Sequence, residues 1–364
     1  MHYSTFSKNY ERRFAGNEIF KKIFEKILTE AIKNGFVDAS AIFIDSTHVK
    51  ASANKKKAVL KTVQQEARHY QHQLDDEIRK DSEAHRKKPL KDDDDEGDPP
   101  THEIKESTTD PECGLFHKGE HKIEFAYTAH TVCDKHNFVL GCELSPGNVH
   151  DSVMVDGIYA KAIEQFPEAE YVAIDSGYKT PWIMKQVFDS GRKPATPYKS
   201  PMTKNGFFKK HEYVYDKYYD CVICPNSQVL KYSTTNREGY REYKSDPKIC
   251  ENCPMRAQCT ESKNRTKTVT LHVWKEYMDL AEDVRHTPEG KAVYGLRSQT
   301  IERVFADAKE KHSMRYTQFR GKAKVTMQVL LTFACMNLKK LAIWKRRKRL
   351  LFVFLRPIPV FAAC

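Results

Sequence analysis

No apolar run in this chain of 364 residues reaches the roughly 18 needed to span a bilayer. The two longest, "VTMQVLLTFACMNL" and "LLFVFLRPIPVFAAC", are interrupted by Gln328 and Asn337 and by Arg356 with two prolines. The first therefore reads as a buried helix, and no membrane partner is expected. The opening "MHYSTFSKNYERRF" lacks the apolar segment of a signal peptide, which predicts a soluble, cytoplasmic protein. Repeats of fixed period are absent. No Ser, His, Asp or Cys, His arrangement stands out as nucleophilic machinery. Acid is scarcer than base, with 49 Asp+Glu against 61 Lys+Arg and a formal charge of +12, the balance of a protein whose partner is a polyanion.

What is present has two textures. Apolar residues at 19, 20, 23, 24, 27, 28, 31 and 32 predict an amphipathic helix that ends before Gly35. In "AIFIDSTHVKA", residues 41–49 predict a strand. Val59, Val63, Ala67, Tyr70, Leu74 and Ile78 recur at steps of three or four and predict one long helix. The acidic "HRKKPLKDDDDEGDPP" reads as a solvated linker. Alternating runs broken at "DKHN" predict a hairpin from 121. A helix capped by Asp151 or Ser152 follows, and "EYVAIDSGYKT" is a second short apolar strand ending in an acid. Residues 198–272, rich in Tyr and Lys, predict a β-rich insertion, and helices return after it.

Asp45 and Asp175 each end a strand, which suits a divalent cation if the strands are neighbours, because Mg²⁺ takes hard oxygen ligands. Glu302, at the margin of a helix whose buried side is Ile301, Val304, Phe305 and Ala308, would supply the third acid. Lys309 lies two turns further along the same face. Each acid has a bland reading as a cap or surface charge. His48 reads as structural or as a substrate contact, and the Asn148, His150 and Asp151 turn as support. Five of the ten cysteines lie between 221 and 259, which favours metal over bridges. Cys221 with Cys224 and Cys250 with Cys253 form two CxxC pairs, a zinc-ribbon pattern in which Cys259 could replace one of the four.

"FIDSTHVKASANKKK", "VAIDSGYKTP", "RSQTIERVFADAKEKHSMRYTQFRGKAK" and "FACMNLKKLAIW" together make the chain resemble the DDE transposases of bacterial insertion sequences, in particular the IS eleven-eighty-two group with its cysteine-bearing insertion. The resemblance implies an α/β fold: an RNase H-like mixed sheet flanked by helices, with a β-rich zinc-ribbon-like insertion before the catalytic glutamate helix. It implies Asp45, Asp175 and Glu302 as a triad holding two Mg²⁺ or Mn²⁺ ions, although 130 and 127 residues separate them in sequence. Tyr294, Arg297 and Lys309 are the nearest matches to its DNA-contacting residues; Arg297 stands five before the glutamate rather than four, where Ser298 lies.

The implied layout is a helical remnant at 1–40, a first core part at 41–197 with an insert at 54–118, the insertion at 198–272, a second core part at 273–345 and a basic, apolar tail at 346–364. Cys221, Cys224, Cys250 and Cys253 would hold a structural Zn²⁺. The expected partners are double-stranded DNA, as element ends and target, and a second copy in a synaptic dimer. Members of the group carry a further helical region ahead of the text that opens this chain, so impaired end recognition is also expected. The alternatives are a metal-dependent nuclease without strand transfer and a decayed, non-catalytic zinc-ribbon DNA-binding copy.

Overall fold

The computed structural model describes residues 3–14, 16–64, 70–88, 101–118 and 122–354. Its elements run α1 (Tyr3–Arg13), α2 (Ile19–Lys33), β1 (Ala41–Lys50), β2 (Ala58–Gln64), α3 (Gln71–Ala84), β3 (Thr101–Ser107), β4 (Gly114–Lys118), β5 (Lys122–Cys133), β6 (Val139–Pro146), α4 (Asp151–Gln165), β7 (Tyr171–Ile174), α5 (Pro181–Asp189) and β8 (Lys193–Ala195). They continue with β9 (Val214–Asp216), β10 (Cys221–Ile223), β11 (Val229–Thr235), β12 (Tyr240–Lys244), α6 (Pro247–Glu251), α7 (Arg256–Cys259), β13 (Thr268–His272), α8 (Lys275–His286), α9 (Pro288–Gly295), α10 (Ile301–Lys311) and α11 (Lys322–Phe354).

The main sheet has the order β4-β5-β1-β7-β8, and β6 also pairs with β5. β1 is antiparallel to β5 but parallel to β7, and β7 is parallel to β8. The centre of the sheet is dictated by composition. Ala41, Ile42, Phe43 and Ile44 are all fully buried, as a strand covered on both faces requires, and no polar residue interrupts them. Helices such as α4, α5, α10 and α11 complete the core with Val155, Met184, Ala308 and Phe333. This mixed α/β arrangement is compatible with the RNase H-like core expected from the sequence. No helix among the described residues is long and apolar enough to cross a membrane.

Residues 214–272 form a separate antiparallel sheet in the order β13-β12-β11-β10-β9, around a small core of Val222, Leu230, Tyr243 and Leu271. It is fastened to α3 by buried charge. Asp81, itself buried, accepts from Arg241 Nε at 2.6 Å and Thr235 Oγ1 at 2.5 Å, while His85 Nε2 bonds Asp220 Oδ2 at 2.5 Å.

Three sequence expectations need correction. The long helix over residues 55–80 is instead strand β2 followed by helix α3, with β2 paired to β3 across the acidic stretch. Val59, Thr62 and Val63 are β-branched and favour a strand, and a step of four between valines does not distinguish the two structures. The acidic linker itself lies mostly outside the described residues. The cap of α4 is His150, extended at φ −69° and ψ 139°, whose Nδ1 accepts from the Ser152 N–H at 3.2 Å; Asp151 is freed for another partner. The boundary expected at 345/346 falls inside α11, which continues to Phe354.

Candidate active site

The parallel register of β1 and β7 ends at the pair Ile44 with Ile174. Asp45 and Asp175 are the next residues on these adjacent strands, so a separation of 130 residues in sequence becomes one strand spacing, about 4.8 Å. Asp45 stays in the ladder opposite Thr131 of β5. Asp175 leaves β7 in extended conformation into a single 3₁₀ turn at Ser176–Tyr178. Both are half-buried.

The helix that carries the third acid packs against β1 and β5 through Ile301, Val304, Phe305 and Ala308, the side predicted to be buried. Glu302 lies in its first turn and is exposed, while Lys309 is half-buried two turns on. Arg297, in the 3₁₀ turn at Leu296–Gln299 that leads into α10, is buried. Its Nη2 donates to Asp45 Oδ2 at 2.6 Å and its Nη1 to the Ile44 carbonyl at 3.3 Å. Tyr294 is half-buried at the end of α9, with the guanidinium of Arg297 5.8 Å from its ring centroid.

Two titrating groups report how the acids converge. Burial raises the Asp45 carboxyl above the ordinary carboxylate value; the facing Arg297 lowers it, as does the Ser46 N–H that donates to it, and Asp175 and Asp151 raise it again. The Tyr294 hydroxyl is raised by burial, lowered by Arg297, and raised further by Asp175, Glu302 and Asp45. Asp45, Asp175 and Glu302 therefore lie within electrostatic reach of one phenol.

Asp151 joins the same pocket from α4. Ser46 Oγ donates to its Oδ2 at 2.9 Å, and its Oδ1 lies 3.7 Å from Nδ1 of the buried His130. The turn that delivers it depends on Gly147: a Cβ there would stand 2.7 Å from the Ala126 carbonyl oxygen, the atom to which the Gly147 N–H donates at 2.9 Å. His130 and Tyr178 carried no signal in the sequence. Pairing of β1 with β5 sets His130 opposite Ser46, and the Tyr178 hydroxyl is pushed well up by burial, then by Asp151 and Asp45. His48 turns elsewhere, to Thr128 Oγ1 at 3.0 Å and the ring of Phe116.

The carboxylates of Asp45 and Asp175 offer the oxygen donors that Mg²⁺ or Mn²⁺ requires, and the half-buried Asp45 carboxylate is paired with Arg297. As the chain stands, no three His, Cys, Asp or Glu side chains among the described residues are spaced to hold an ion. That applies equally to the cysteines, none of which is bridged among those described. Cys224, Cys250, Cys253 and Cys259 all line one cavity of about 30 Å³ at the end of the insertion sheet, roughly the room of a single water or ion. Cys221 does not line it. Within this group Cys253 Sγ lies 3.5 Å from Asn226 Nδ2 and Cys259 Sγ lies 3.2 Å from Tyr213 Oη. Burial raises the Cys259 thiol, and Cys250 and Cys224 are near enough to add to that.

Residues 223–342 match the family model of the transposase DDE domain. The matched stretch runs from the end of β10 into α11 and includes Arg297, Glu302 and Lys309. It supports a DDE transposase, a nucleic-acid-processing enzyme of a family that typically uses divalent metal ions. No curated protein matches the chain.

Proposed function

We propose that the chain is a DNA transposase that cuts and joins phosphodiesters at the ends of an insertion sequence, with Asp45, Asp175 and Glu302 as its metal-holding triad. The observation that supports it most is the convergence itself: the β1–β7 register sets the two aspartates side by side, and α10 brings Glu302 within reach of the tyrosine that feels both. Two Mg²⁺ or Mn²⁺ ions held there would activate a water or DNA 3′-hydroxyl and stabilise the departing oxygen. In each step one P–O bond forms, the opposite P–O bond breaks in line, and no side-chain nucleophile is needed.

The surrounding residues then have separate tasks. Asp45, backed by the Ser46 N–H at 2.8 Å, offers a carboxylate whose geometry is set by β1. Arg297, already seated on that carboxylate, neutralises it before substrate arrives. Lys309, on the Glu302 side of α10, would contact a strand phosphate, and Tyr294 would stack or bond beside it. The Glu302 helix packs on β1 and β5, and its exposed first turn would have to carry Glu302 up to the two aspartates to close the oxygen set.

In the insertion, a structural zinc held by four thiolates leaves no position for substrate and would act by ordering residues 198–272. The cavity favours Cys259 over Cys221 as the fourth ligand beside Cys224, Cys250 and Cys253. The enzyme would act on cytoplasmic DNA, both element ends and target, as a synaptic dimer.

The test uses duplexes carrying the DNA that flanks the gene, with Mg²⁺ or Mn²⁺, read for strand cleavage and for joining of the new 3′ end to a second duplex. Asp45→Asn, Asp175→Asn and Glu302→Gln should each abolish both products while leaving the circular dichroism spectrum unchanged. Near wild-type cleavage by any of the three would overturn the triad. Cleavage without joining in the wild-type protein would instead favour a nuclease.

A further inference from the structure

Helix periodicity turns Glu302 and Lys309 to one side of α10 and Arg303, Asp307 and Lys311 to the next. That second side faces α11 across a groove of about 550 Å³. Among the described residues it is lined by the cations Arg303 and Lys311 from α10 and Lys339, Lys340 and Arg347 from α11, and by one acid, Asp307. Asp307 lies 2.8 Å from Lys311 Nζ and 3.6 Å from Arg303 Nε. Lys340 donates to the His136 carbonyl at 2.7 Å. Neither Lys339 nor Arg347 has a carboxylate partner among the described residues.

Two features set the kind of partner. Arg303 and Lys311 are eight residues apart, as are Lys339 and Arg347, so at 1.5 Å per residue each helix presents a charged rail about 12 Å long. That matches the axial rise of about three to four nucleotides of one strand. The groove also begins where the candidate active site ends, because Ser298 and Gln299, at its mouth, directly follow Arg297, and Arg303 directly follows Glu302.

We propose that the groove between α10 and α11 carries the phosphodiester backbone of duplex DNA beyond the scissile phosphate, as a binding track that takes no part in the chemistry. This rests on the transposase reading and adds to it where the flanking DNA lies. Excess positive charge with hydroxyl and amide donors suits phosphate, which positions a duplex without reading its sequence.

The experiment compares the full chain with Arg303→Ala/Lys339→Ala/Arg347→Ala, three exposed substitutions, in a salt titration of binding to a fluorescent duplex. Each lost phosphate contact reduces the slope of log affinity against log salt by about 0.9, so the triple variant should be shallower by about two to three units. Its cleavage rate at saturating protein should stay within about twofold of wild type, since the transition state gains nothing from these contacts. Removing the same charge from α2, with Lys22→Ala/Lys26→Ala/Lys33→Ala, should leave the slope nearly unchanged.

An unchanged slope in the groove variant, or an equal fall in the α2 variant, would overturn the proposal. So would a groove variant that binds DNA normally but no longer self-associates by light scattering, because the groove would then seat a second copy. Failure of the wild-type chain to bind or cut any duplex would strike at the transposase reading itself.

Discussion

Replacing Arg297 with Met is the most informative single change, because it separates the electrostatics of the site from its chemistry. The Arg297 side chain is 5% exposed and that of Asp45 19%, with 2.6 Å between charged atoms. Breaking a buried pair by removing one member leaves an uncompensated charge and typically costs about 3–5 kcal/mol. A domain of this kind has about 5–15 kcal/mol in total, so Arg297→Met should fold but be weakened. With an m-value of about 3 kcal/mol/M, the urea midpoint should fall by about 1–1.7 M, read from the fluorescence of the buried Trp182 and Trp274.

Two controls give that number its meaning. Asp45→Asn/Arg297→Met, which removes both charges, should recover much of the loss. Mg²⁺ should stabilise Arg297→Met more than wild type, since a bound cation supplies the missing charge; at a hundredfold excess over the variant's dissociation constant the variant itself should gain about 2.7 kcal/mol. If the single variant is as stable as wild type, or the double variant is no better than the single, the pair does not hold Asp45 and the account of Arg297 fails.

Two further outcomes are expected. Freshly reduced protein should contain about one Zn²⁺ per chain, as one four-thiolate site implies; Cys259→Ser should lose it and Cys221→Ser should keep it, and metal analysis finding none would remove the zinc proposal. Lys340 is pushed down to about 8 from 10.5, chiefly by burial, with Asp134, Cys133 and Asp307 acting the other way. Between those values the unfolded chain holds a proton that the folded chain has released, so stability rises with pH across the window. Relative to Lys340→Met, wild type should gain up to about 3 kcal/mol between pH 8 and 10.5, and parallel stability curves would refute the shift.

The amino-acid text showed more of this protein than its local periodicities alone would suggest. "AIFI" and "YVAI" are continuous apolar runs, and they became the buried, mutually paired parts of β1 and β7, with Asp45 and Asp175 just beyond the last pair those two strands share. The buried side of α10 was legible from four residues at helical spacing, and each of the four is buried. The β-rich character of the cysteine segment showed in its composition and in its lack of helical period. These features are local, since a side chain's preference for a strand or a helix face depends on near neighbours in sequence.

Other features depend on where distant segments meet, and there the text was silent or misleading. Val59 and Val63 fitted a helical step, and only the arrival of β3 made them a strand. The CxxC spacing placed Cys221 among the metal candidates, yet packing of α6 and α7 against the β10–β11 turn gathers Cys259 in its place around the cavity. The family resemblance made Arg297 the nearest match to a phosphate contact; in the fold it is the counter-ion of Asp45, 252 residues away. Sequence determined which acids follow the apolar runs of β1 and β7 and which face of α10 is apolar. Tertiary structure decided which of those ends share a pocket, because strand register and burial of charge are settled between segments whose separation along the chain carries no record of their distance in space.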